Sequence, residues 1–144
     1  MSFDSLAPAN RLVSVLTSLS AVNSAQIGAP ESVSTRLSAY VTMGSQGVGR
    51  KTTGTTQRQT RYFVMFVYRV DGDETAAETA LMQTVDAFMA ALYADLTLNG
   101  TGTDLEAASL AADEPEYQLR VGKEYREYPI VVTVTQQGTY EVNP

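Results

Sequence analysis

The segment from Gly44 to Gln57 reads GSQGVGRKTTGTTQ and comes nearest to a chemical motif. Gly44 and Gly49, followed by Arg50, Lys51 and Thr52, resemble a phosphate-binding P-loop. Such a loop points backbone N–H groups at phosphate oxygens while a lysine reaches the outer phosphates. The spacing it needs puts Lys directly after the second Gly, and here Arg50 intervenes. The motif must also open a helix, and Thr53 to Thr60 is poor helix sequence. No nucleotide site is expected. A second candidate, Asp71-Gly72-Asp73-Glu74, offers carboxylates to a cation. An EF-hand loop starting at Asp71 needs Gly at its sixth position and Glu at its twelfth, where this chain has Ala76 and Met82. The same acids suit a turn feeding a helix N-terminus, whose dipole favours negative charge. A third cluster, Lys123 to Tyr128, mixes charges and aromatics. Glu124 and Glu127 are an odd number of positions apart, so a strand sends them to opposite faces.

Two residue types are missing altogether. The 144 residues include no His and no Cys. That removes the Ser-His-Asp and Cys-His mechanisms, imidazole and thiolate metal sites, and any disulfide framework. An enzyme would have to work through carboxylates, Lys or Ser, and no convergent pair is visible; the expectation is a protein that is not an enzyme, with no cofactor or metal. No apolar run approaches the ~18 residues of a membrane span. Met1-Ser2-Phe3-Asp4 lacks a basic region followed by an apolar one, so no signal peptide is expected and the chain reads as soluble and made in a cytoplasm. Ten Lys and Arg face sixteen Asp and Glu, a net charge of −6. That balance argues against nucleic-acid binding driven by total charge.

Elements must hold these residues in place. Leu6, Leu12, Val13, Leu16 and Leu19 recur at three- and four-residue intervals, which predicts a helix over 6–19 with Pro8 in its first turn. Ser34 to Met43 alternates as a strand after the breakers Gly28, Ala29 and Pro30. The 44–57 stretch has four Gly, no large apolar residue and no acid. It is expected as a flexible loop or arm that cannot pack a core. Gln59 to Val70 is the strongest strand, with Tyr62, Val64, Phe66, Tyr68 and Val70 on one face and Phe63, Met65 and Val67 on the other. Both faces are apolar, so both should be covered, one by a helix and one by further protein. A helix follows to about Tyr93, opened by Thr75 with Glu78 at capping-box spacing or by Asp73. Leu105 to Ala112 fits a strand or a short helix. Tyr117 to Val121 and Tyr125 to Thr135 read as strands, and Pro129 puts the latter at an edge or makes its start irregular. Residues 136–144 look like a loose tail. The sum is one α+β domain: a largely antiparallel sheet, helices packed on one face, and a long polar hairpin arm.

The charges are sorted along the chain. Ser32 to Val70 holds six basic residues and no acid; Asp71 to Glu116 holds eleven acids and no base. Two arrangements account for this. The blocks face each other within one chain, as weakly paired surface charges. Alternatively, a basic edge of one copy meets an acidic edge of the next, a contact that closes into a ring or grows a filament. Candidate contact residues are Arg36, Arg50, Lys51, Arg58 and Arg61 on the basic side and Asp71, Asp73 and Glu74 on the acidic side. Phe63 and Met65 join them on the strand's second apolar face.

In feature order the chain resembles the tail terminator, or tail completion, proteins of long-tailed bacteriophages. The pieces are a short N-terminal helix ending near Leu19, a strand after Pro30, and a polar arm before RYFVMFVYRV at 61–70. ETAAETALMQTVDAFMAALYADLTLNG at 74–100 and EYREYPIVVTVT at 124–135 complete them. The match is one of pattern over residues 5–136, with no single specific motif. The resemblance implies a structural virion protein of the tail and neck region, assembled in the host cytoplasm. It implies a hexameric ring that caps the tail tube, stops its polymerisation and offers a joining surface to the head-tail connector or stopper. DNA would pass through the channel without sequence recognition, sliding past acids that repel its phosphates. An arm of this length reaches on the order of 20 Å as a hairpin. The alternatives are another neck component, a connector or stopper, or an adaptor that binds a peptide at its sheet edge.

Overall fold

The computed structural model describes residues 3–30, 36–52, 55–111, 114–115, 117–120 and 122–138, with the backbone alone at 50–52 and 120. Helix α1 (Leu6–Ser18) opens the chain and buries Leu12, Val15 and Leu16. The Asp4 carboxylate accepts from the free N–H groups of Leu6 and Ala7, at 2.9 and 3.2 Å. Strand β1 (Ser24–Ile27) lies parallel to β2 (Leu37–Thr52). Strand β3 (Thr55–Arg69) returns antiparallel to β2. Helix α2 (Glu74–Tyr93) then leads to β4 (Asp104–Ser109), β5 (Tyr117–Arg120) and β6 (Lys123–Gly138). The strand order is β1-β2-β3-β6-β4, with β5 also on β6. Every described pair except β1 with β2 is antiparallel, so the fold is α+β with a mixed, largely antiparallel sheet.

Alternation in β3 decides where the core sits. Tyr62, Val64, Phe66, Tyr68 and Val70 are all buried, beside Leu37, Ala39 and Val41 of β2 and Ile130, Val132 and Val134 of β6. Both helices lie on this face: Leu12 and Leu16 of α1, with Ala77, Leu81, Phe88 and Leu92 of α2, join the same cluster. Phe88 meets Phe66 edge to face, with ring centroids 5.5 Å apart, a geometry aromatic quadrupoles favour.

Three expectations change. First, the expected hairpin arm is a paired ribbon rather than a loose loop over its described residues, 44–52 and 55–57: β2 and β3 stay paired through Thr52 and Thr55, past a bulge between Met43 and Gln46. Thr, Val and Gln suit a strand, and cross-strand pairing satisfies a backbone that needs no core of its own. Gly44 sits in the bulge because a Cβ there would lie 2.4 Å from the Phe63 ring. Second, the chain beyond 135 is not loose at once. β6 pairs with β3 as far as Gly138 opposite Thr56, and Gln136 is buried. The rest of the expected tail, 139–144, lies outside the described residues. Third, Pro129 stands in a central strand. Its carbonyl accepts from Leu110 N–H, so its missing N–H faces the gap between β4 and β5 and costs no bond to β3. Of the two openings offered for α2, Asp73 is the cap, accepting from Ala76 N–H at 2.9 Å. Glu78 is thereby free for another partner. The ambiguous 105–112 segment holds a strand, Asp104–Ser109, and residue 112 lies outside the described residues.

Candidate functional site

The residues expected at a contact surface fall into three groups. Arg36 and Asp71 meet each other: the Arg36 guanidinium lies 3.6 Å from the Asp71 carboxylate and over the Tyr68 ring. Arg69 donates to the same carboxylate at 2.9 Å. The basic and acidic blocks thus touch within one chain at the turn between β3 and α2. Asp73 is occupied as the α2 cap, and Glu74 is exposed beside it. Arg50 and Lys51 fall in the last part of β2, and their side chains lie outside the described atoms.

Arg58 forms the second group, and the structure places it inside the molecule. It is 7% exposed. Its Nη2 donates to Gln136 Oε1 at 2.8 Å and to Ser5 Oγ at 3.1 Å, and its guanidinium covers the Phe3 ring. Gln136 Nε2 in turn donates to the carbonyls of Asp4 and Thr101, each at 2.8 Å. Tyr62 donates its hydroxyl proton to Ser5 O at 2.7 Å. Burial pushes the Tyr62 phenol up to about 12, against the opposing pull of Arg58. This network ties the N-terminus, the root of the β2–β3 ribbon and the end of β6 together. No local pattern in the sequence announces it.

A second polar knot was equally hidden. Arg126, buried on β6, donates to Glu78 Oε1 of α2 at 2.7 Å, and Tyr117 donates to the same oxygen at 2.7 Å. Burial works to raise the Glu78 pKa, but the hydrogen bonds from Arg126 and Tyr117 outweigh it and hold the carboxyl below its ordinary range. Tyr117 is pushed up to about 12 by burial and by the Glu78 carboxylate.

Phe63, Met65 and Arg61 form the third group, on the face that α1 and α2 leave open. Cross-strand pairing sets its rows: Thr42, Phe63, Val131 and Ala108; Tyr40, Met65 and Pro129; Arg61, Thr133 and Glu106. Val67 and Val131 are buried there, while Phe63 and Met65 are half-buried and Arg61 is exposed. Among the described residues, no helix covers this face. At the ribbon end it becomes a polar hollow of about 440 Å³, lined by Gln57, Gln59, Asp104, Glu106, Thr133 and Gln137 among others. Its two acids, Asp104 and Glu106, come from one strand. Among the described residues, no three metal-ligating side chains converge, and no helix is long and apolar enough to cross a membrane. The arrangement offers surfaces for docking. No protein-family model matches the sequence, and no curated protein matches it either.

Proposed function

We propose that this chain is a ring-forming structural protein of a phage virion, one that caps the tail tube and ends its polymerisation. In this reading the ring also presents a joining surface to a head-tail connector or stopper and lets DNA pass through its channel. One observation supports the reading above others. The sheet carries both helices on one face and leaves Phe63 and Met65 half-exposed on the other, beside a ribbon that runs on past the core. A solitary domain gains nothing from an apolar strip held open to water. A repeated subunit can cover it. The test is light scattering and negative-stain microscopy of the full chain, alone and mixed with candidate tail-tube protein. The expected outcome is a ring, formed alone or on the tube, that stops tube growth. Tubes that lengthen unchecked, with a chain that stays monomeric, sink the reading.

A further inference from the structure

We propose that copies of this chain join edge to edge, the outer edge of β2 on one copy pairing antiparallel with the outer edge of β4 on the next. This rests on the ring reading and names the contact that closes it.

Among the described residues, neither edge has a further strand beside it. β1 ends at Ile27 opposite Val41, and Gly28 N–H closes on Val41 O. From Thr42 to Thr52 no described strand lies on the outer side of β2. Natural edges are usually blunted by Pro or charge, yet Met43 to Gly49 has neither. At the opposite side of the sheet, β4 pairs with β6 and with no other described strand. A side chain stands where its next strand would lie: Ala107 N–H donates to the Tyr93 hydroxyl at 3.3 Å, and that hydroxyl returns to Ala107 O at 3.5 Å.

The two edges match in level, direction and lining. Asp104, Thr135, Gln59 and Gly47 share one row across the sheet, and Ser109, Ile130, Val64 and Val41 share another. β4 therefore spans the same height as β2 from Val41 to Gly47, where the open edge begins. β4 also runs antiparallel to β2, so rotation about an axis along the strands brings the edges together in antiparallel sense without inverting a copy. Beside the β2 edge, Leu6, Ile27 and Met43 are 59%, 45% and 57% exposed around an apolar groove. Beside the β4 edge, Tyr93 and Leu96 are 51% and 43% exposed on the same, helix-bearing side. β4 carries exposed Asp104 and Glu106, while β2 beyond Thr42 has no acid and includes Arg50 and Lys51. A second copy supplies both halves of this match. Because the two edges differ, the contact is heterologous, and repetition about the strand-parallel axis closes a ring where the rotation per copy divides a full turn.

Proline tests the edges. Gly47 and Gly49 face β3 with their backbone groups, so Val48 N–H points outward; Ala107 N–H points away from β6 in the same way. Val48→Pro and Ala107→Pro therefore remove no bond inside the sheet but block an incoming strand. Circular dichroism should show both variants folded. Light scattering, with and without tail-tube protein, should show each associating at least about tenfold more weakly than wild type. An equal mixture of the two should stop at dimers, since each variant keeps the edge the other has lost. Tyr93→Phe, an exposed change that frees Ala107, should tighten association several-fold even if the prolines perturb folding. Rings that persist in both proline variants, or a Tyr93→Phe variant that associates no better, overturn edge pairing and leave the ring reading standing. A wild-type chain that is monomeric alone and with tube protein overturns both. A monomer that instead takes up a synthetic extended peptide along β4 assigns that edge to a foreign strand and overturns the proposal.

Discussion

The Tyr62 phenol belongs to a network that joins three parts of the chain that sequence separates. It holds Ser5 O on one side of the network built by Arg58 and Gln136. Burial raises its pKa from 10.0 to about 12, so the folded state favours the neutral phenol. That contribution is complete below about pH 10 and is lost as pH rises through about 12. Thermal melts between pH 7 and 12 should show this fall. Tyr62→Phe should cost about 1 kcal/mol at neutral pH, the net worth of one hydrogen bond. It should also flatten the alkaline fall without abolishing it, because Tyr117 titrates in the same window. An alkaline slope identical to wild type would remove Tyr62 from the account. Arg58 shows why such residues escape a reading of sequence. Its partners are 53 and 78 positions away. Near the arm only its charge is visible, and charge alone suggests a surface role. Burial makes Arg58→Glu a stability variant.

At the scale of elements, the ribbon is where pattern and structure part. Helix α2 and the core half of β3 were legible because burial imposes a period on them, and the helix-covered face of β3 was identified residue by residue. Residues 44–57 carry no such period, since the ribbon has no core to face. The conformation of 44–52 and 55–57 is settled by the β3 and β6 backbones alongside them, information that lies elsewhere in the chain. The same reason hid β1, a four-residue strand that is mostly exposed. Because β6 pairs with β3 up to Gly138, deleting 45–56 would strip partners from the sheet. A gentler trim replaces 50–56 with Asn-Gly, joining the paired residues Gly49 and Gln57 by a tight type I′ turn. Arg58 and Gln136 keep their contacts. The variant should melt within a few degrees of wild type, and its assembly with the tube or neck should weaken. Normal assembly of the trimmed chain would take the ribbon tip out of the docking surface.

At the scale of the whole molecule, the sorted charges have two destinations. Asp71 draws in Arg36 and Arg69, so part of the sorting is spent within one chain. Arg61 is different. It is exposed on the open face, in the same row as Thr133 and Glu106, and makes no ion pair among the described residues. Two acids of that face, Asp104 and Glu106, are exposed too. Reversal at Arg61 leaves the core untouched and adds negative charge to a face that already carries it. If copies pack around this surface, Arg61→Glu should lower the oligomer fraction while the monomer's melting temperature stays near that of wild type. The loss should be larger at ~0.01 M salt, where the screening length is about 30 Å, than at ~0.15 M, where it is about 8 Å. Light scattering across that salt range reads the difference. Oligomers of equal strength at both ends would mean that Arg61 faces solvent in the assembly, and that the charge blocks act within each chain.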